Sequence, residues 1–233
     1  TMGAGQFCTN PGLVLAIDGP ALEKFLAAAA DALGAGAPQT MLTANIQKAY
    51  DDGVSAFAAD PSVRTLARGP ESGGACQGRA ALFAVDAESF LADKRLQHEV
   101  FGASSLVVRC RDVAEMGEVI ASLEGQLTAT VHFDKADEAL VASLMPALER
   151  KAGRILGNGW PTGVEVSHAM VHGGPYPATT DGRTTSVGSL AIARFLRPIC
   201  YQNLPGALLP EALRDDNPFG LARRIDGAVV QAE

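Results

Sequence analysis

The chain has 233 residues, of which 47% are hydrophobic and 19% charged, with a formal net charge of −7. Such a composition supports one large core or two modest ones, and it argues against a nucleic-acid partner, because phosphate binding rests on clustered Lys and Arg and no such cluster is present. The longest apolar run, ALEKFLAAAADAL, is interrupted by charges and falls short of the roughly 20 residues a bilayer crossing needs, so no membrane partner is expected either.

In chain order, LVLAID (13–18) is a short continuous apolar run that suits a strand covered on both faces. Asp18, Gly19 and Pro20 then supply helix-start chemistry. Leu22, Phe25, Leu26, Ala29, Ala30 and Leu33 recur at helical spacing up to Gly34. A second helix is predicted from Thr43 to about Phe57, with Ile46, Ala49, Tyr50, Val54 and Phe57 on one face. The Gly-, Pro- and Ser-rich segment 67–78 reads as a loop.

The alternation then becomes regular. RAALFAVD and SSLVVRC read as strands, DVAEMGEVIASL as a helix with Val113, Met116, Val119, Ile120 and Leu123 inward, LTATVHF as a strand, ADEALVASLMPALERKAG as a helix, and RILGNG as a strand. Strands separated by helices of this length predict an α/β fold, a mostly parallel sheet with helices on both faces. From 157 to 188 the pattern gives way to some thirty residues dense in Gly, Pro, Thr and His, too long for an idle connector. A short helix near Ser189 to Arg194 follows, then the extended-looking RFLRPICYQNL and a tail of one or two short helices.

The four cysteines, Cys8, Cys76, Cys110 and Cys200, form no C-x-x-C pair and have no His at zinc-ligand spacing, so no metal is expected. No signal peptide precedes the fold, and a reducing cytoplasm is the expected compartment. Cys110 and Cys200, in strand-like contexts, read as inert core residues. Cys8 stands in GQFCTNPG, where it reads as a buried filler, a metal ligand or a nucleophile. The residue type alone favours the filler. Its neighbours favour a shaped loop: Gly5 and Gly12 permit unusual backbone angles, Pro11 fixes another, and Thr9 and Asn10 form turns. A thiol presented on such a loop can serve as a nucleophile. A turn of this kind at the very start reads as part of a longer protein.

GQFC, preceded by Gly3 and Ala4, resembles the nucleophile signature of the aldehyde dehydrogenase superfamily, and HEVFG (98–102) resembles that family's Glu-x-Phe-Gly motif at about the expected distance. The resemblance covers essentially the whole chain. It narrows, through MGAGQFCTNPGL, the 157–188 loop and RFLRPICYQNLP, to the branch of alpha-ketoglutarate semialdehyde dehydrogenases and NADP-dependent fatty aldehyde dehydrogenases. It implies Cys8 as the catalytic thiol and Glu99 and Phe101 as contacts to the nicotinamide and its ribose, with NADP or NAD as cofactor. Ala103 stands where the family usually has Pro, and His172, Gly173, Gly174 and Pro175 stand where it has a Phe-Gly-Gly loop. The implied reaction is oxidation of a small-molecule aldehyde to a carboxylate, with 2,5-dioxopentanoate as the first substrate and a fatty aldehyde as the alternative.

The implied organisation is a catalytic domain at 1–194 and an oligomerisation-type strand and tail at 195–233, with a homo-oligomer as the parent assembly. The dinucleotide-binding domain, the general-base Glu and the oxyanion Asn are expected outside this chain, which carries no convincing Gly-x-Gly-x-x-Gly fingerprint. Alone, it reads as an inactive dehydrogenase, or as a module for folding and oligomerisation. On the irregular loop, His168 and His172 are four residues apart. They invite a metal reading that lacks a third ligand, or a role near the thiol. Arg183 and Ser186 are candidates for a substrate carboxylate, against a loop-stabilising pair of Arg183 with Asp181.

Overall fold

The computed structural model describes residues 1–71, 73–160 and 163–231; Ser72 of the glycine-rich loop, Pro161 and Thr162 of the irregular loop, and 232–233 of the tail lie outside the described residues. The chain divides into two units, Thr1–Arg194 and Phe195–Glu233.

In the first unit, a turn at Met2–Gly5 leads into β1 (Leu13–Ile17), followed by α1 (Pro20–Gly34), β2 (Gln39–Thr40), α2 (Ala44–Ala59), β3 (Arg64–Arg68), β4 (Gln77–Gly78), β5 (Ala81–Asp86) and α3 (Ala87–Ala92). β6 (Ser104–Cys110), α4 (Val113–Ser122), β7 (Gln126–Val131), α5 (Glu138–Lys151) and β8 (Ala152–Gly157) complete it. The main sheet has the order β1-β6-β5-β3. β6 pairs in parallel with both β1 and β5, because each is reached through a helical crossover, while β3 runs antiparallel to β5. The parallel expectation therefore holds for three of the four strands. β3 was hidden in the sequence because RTLAR is a short edge strand with a charge at each end, and its last residues, Ala67 and Arg68, fall in the segment read as a loop. β7 and β8 form a separate parallel pair.

The continuous apolar runs are explained by burial on both faces. On one face Phe83 and Val85 of β5, Leu106, Val108 and Cys110 of β6, and Leu13 and Leu15 of β1 meet Tyr50, Val54 and Phe57 of α2, Phe90 of α3 and Val119 of α4. Phe57 meets Phe83 edge-on, with ring centroids 5.5 Å apart. On the opposite face Leu82, Ala84 and Val107, with Val14 and Ala16 beside them, meet Leu22 and Leu26 of α1 alone. Phe25, expected inward, is half exposed because that face is only partly covered. Two of the three helices that line the fuller face, α2 and α4, have side-chain caps: the Thr43 hydroxyl accepts from Ile46 N (3.2 Å) and the Asp112 carboxylate from Glu115 N (2.9 Å).

In the second unit 196–204 forms no helix or strand, and single 3-10 turns follow at Gly206–Leu208 and Glu211–Leu213. β9 (Arg223–Ile225) and β10 (Ala228–Val230) then make a hairpin through Asp226 and Gly227, both at positive φ. No described residue of 195–231 is buried. Cys200, expected in a core, is exposed for that reason. No helix among the described residues is long and apolar enough to cross a membrane.

Candidate active site

Gly3, Ala4 and Gly5 all adopt left-handed backbone angles, with φ of 59, 57 and 70°. For Ala4 this conformation costs about 1–2 kcal/mol, so the turn needs support from elsewhere. Three side-chain amides supply it. Gln39 Oε1 accepts from Ala4 N at 2.9 Å, Gln6 Oε1 accepts from Leu42 N at 2.9 Å while Gln6 Nε2 donates to Gly3 O at 2.9 Å, and Asn10 Nδ2 donates to Gly102 O at 3.1 Å. Beyond the strained residues, Asn10 N closes back on Phe7 O at 3.1 Å, so Cys8 sits at the tip of a turn, exposed to solvent. Its backbone N–H donates to no other described residue. None of the described residues buries Cys8.

The same turn rests on the second motif. A Cβ on Gly5 would lie 2.2 Å from Gly102 O, so the two backbones are in direct contact there. A Cβ on Gly102 would lie 2.2 Å from the Tyr50 ring, which fixes the other side of that segment. Tyr50 is buried, its hydroxyl faces the carbonyls of Arg79 and Ala103 (3.1 Å to the latter), and burial pushes its pKa up to about 12. Glu99 and Phe101 are both exposed on the segment so held, and Glu99 has no hydrogen bond or ion pair among the described residues. The cysteine turn and the Glu-x-Phe-Gly segment are thus brought together by backbone packing.

The irregular loop is organised differently. Gly173 O lies 2.4 Å from where a Gly153 Cβ would stand, Gln126 O 2.4 Å from a Gly174 Cβ, and Pro175 O 2.1 Å from a Gly125 Cβ, so glycines seat His-Gly-Gly-Pro on the starts of β7 and β8. His172 N donates to Thr185 Oγ1 (2.8 Å), and His172 O accepts from Ser186 N (3.0 Å) and Ser186 Oγ (2.9 Å). Burial, then the charge of Arg154, holds the His172 pKa below its usual value. Arg183 is 96% exposed, with Nε 3.8 Å from Asp181. The Arg183 backbone N–H, with Thr184, keeps the Asp181 carboxyl below the usual range. His168 is exposed. Among the described residues no hydrogen bond or ion pair joins His168, His172, Arg183 or Ser186 to the Cys8 turn. None of the described residues forms a group of three or more His, Cys, Asp or Glu able to hold a metal ion.

Sequence reasoning missed a cavity of about 380 Å³ beside the cysteine turn, lined by Phe7, Pro11, Phe25, Leu33, Leu82 and Trp160 among others. Its signal was present in Phe7, Phe25 and Trp160, large apolar side chains left 39%, 43% and 61% exposed.

No protein-family model matches the chain. It is 54% identical over 227 residues, 97% of its own length, to alpha-ketoglutaric semialdehyde dehydrogenase 2 of Azospirillum brasilense. Over nearly its whole length the chain is homologous to part of an aldehyde dehydrogenase. It is also 46% identical over 231 residues, 99% of its length, to alpha-ketoglutaric semialdehyde dehydrogenase of Acinetobacter baylyi. It spans 43% and 44% of those two aldehyde dehydrogenases, less than half of either. The Delta-pyrroline-5-carboxylate dehydrogenase of Mycobacterium tuberculosis superposes on 89% of this chain and 40% of its own, with a TM-score of 0.65 at 17% identity, and so shares the fold. The α/β architecture is therefore that of an aldehyde dehydrogenase.

Proposed function

We propose that this chain is the catalytic-domain portion of an NAD(P)-dependent aldehyde dehydrogenase in which Cys8 is the nucleophile and 2,5-dioxopentanoate is oxidised to 2-oxoglutarate. The observation that carries the reading is the contact of Gly5 with Gly102, which joins the turn that carries an exposed thiol to the segment that carries an exposed Phe101 and an exposed Glu99 without a partner among the described residues. The substrate rests on the names of the two curated relatives.

Cys8 sulfur adds to the aldehyde carbon, and the backbone N–H of Cys8, without a partner among the described residues, would donate to the oxyanion that forms. A carboxylate and an aromatic ring on the segment that meets the cysteine turn suit a ribose and its attached ring, and Glu99 and Phe101 would hold them. When bound, the nicotinamide would supply the acceptor for the hydride that the thiohemiacetal loses as it becomes a thioester on Cys8, and water would then hydrolyse that thioester, supplying the second carboxylate oxygen and returning the thiol. The general base and the second oxyanion donor belong outside this chain, so the chain by itself is a weak catalyst at most. We place the parent protein in the cytoplasm, where four free cysteines are stable, and assign 195–233 to contacts between subunits of a homo-oligomer, since its apolar side chains are exposed.

Iodoacetamide mapping at neutral pH tests the thiol. Cys8 is expected to label faster than Cys200, which is also exposed, and Cys110, buried with its pKa pushed up to about 11, is expected to stay unlabelled until the chain unfolds. Equal rates for Cys8 and Cys200 would remove the case for a nucleophile. In the longer polypeptide, NAD(P)-dependent oxidation of 2,5-dioxopentanoate should vanish in Cys8→Ala. A preference for long aliphatic aldehydes would replace the substrate assignment and leave the thiol assignment intact.

A further inference from the structure

Among the described residues, seven buried side-chain nitrogen or oxygen atoms have no hydrogen-bond partner, and four of them gather on the β7–β8 pair and the loop seated on it: Thr128 Oγ1, Thr130 Oγ1, Arg154 Nε and His172 Nδ1. Thr128 is the register partner of Arg154, and Thr130 follows two residues later, so all three side chains leave one face of the pair. His172 is held next to β8 by the contacts of Gly173 and Gly174 with Gly153, close enough to feel the Arg154 charge. Arg154 Nη1 donates to Gly163 O at 2.9 Å, and no Asp or Glu among the described residues pairs with this guanidinium.

Each such orphan costs about 1–3 kcal/mol when left unmade. The chemistry of the set identifies what would satisfy it. Arg154 Nε–H and the two hydroxyls are donors, His172 Nδ1 becomes a donor in one tautomer, and the site carries one positive charge and no negative one. Water would satisfy the hydrogen bonds and leave the charge; a cation would be repelled. We propose that Thr128, Thr130, Arg154 and His172 form a binding site for a small oxyanion, a carboxylate or a phosphate. The site involves neither Cys8 nor Glu99 and stands whether or not the dehydrogenase reading does.

The test is thermal unfolding of the 233-residue chain with sodium acetate or sodium phosphate, against sodium chloride at matched ionic strength. A saturating rise in Tm is expected, roughly 3–5 °C at ten times Kd, with single-site stoichiometry by calorimetry. The larger response of the two identifies the carboxylate or the phosphate as the natural chemistry. Arg154→Gln should raise Kd at least tenfold, whereas Arg183→Gln should leave it unchanged. Should Arg154→Gln fail to fold, Thr130→Val serves instead: it keeps the shape, weakens anion binding several-fold, and leaves the anion-free Tm unchanged or higher. The proposal is overturned if acetate and phosphate do no more than chloride, or if Arg154→Gln or Thr130→Val responds as the parent chain does.

Discussion

Two irregular segments carry the candidate residues other than Glu99 and Phe101, and they are held in opposite ways. The turn at residues 1–12 is fixed from outside: Gln39, Leu42 and Gly102 hold it from 35, 36 and 92 positions away in sequence. The loop that contains His168, His172, Arg183 and Ser186 is fixed largely by itself, through bonds such as Ser186 to His172 and Thr179 to Gly174, and by glycines seated on β7 and β8. The difference decides which side chains remain available. External support leaves the thiol at the tip of the turn unengaged, whereas the loop uses the Ser186 hydroxyl and the Asp181 carboxylate to hold its own backbone.

The comparison breaks most sharply at Gly102. Gly102→Ala drives a methyl group into the Tyr50 ring and is expected to cost on the order of 3 kcal/mol, read as a lowered urea midpoint with an unchanged slope. An effect as small as that of a surface substitution would mean the turn is not supported there. Asn10→Ala removes one hydrogen bond between the two motifs and should cost about 1 kcal/mol in the same measurement.

The loop should respond to acid. The His172 pKa is lowered in the fold, so as pH falls below the ordinary value of 6.5 the unfolded chain takes up a proton more readily than the folded one. Stability then declines through that window, and His172→Gln should flatten the decline; an unchanged slope would show that His172 is not the group responsible. Smallest of all is Arg183→Ala, expected within about 0.5 kcal/mol of the parent because the Arg183–Asp181 pair is long and solvent-screened.

Legibility followed the same division. Strands buried on both faces, such as β5 and β6, were readable because their apolar runs are unbroken, and α2 and α4 because their spacing and their caps agree. Edge elements were not: β3 is too charged to read as a strand, and the β9–β10 hairpin went unread although its Asp226-Gly227 turn is a strong signal. Within the site, the cysteine and Glu-x-Phe-Gly motifs were legible as local patterns. Their mutual contact was not, since it depends on glycines far apart in sequence. The orphaned polar atoms of Thr128, Thr130, Arg154 and His172 were equally invisible, because β7 in isolation reads as an ordinary strand.

The meeting of Gly5 with Gly102 also limits how this fold can be rebuilt. Where backbone touches backbone there is no side chain to trim, so a clash on one strip cannot be relieved by a smaller residue on the other. A chimera that exchanges the first twelve residues must carry 98–103 from the same donor, since the two stretches form a single transplantable part.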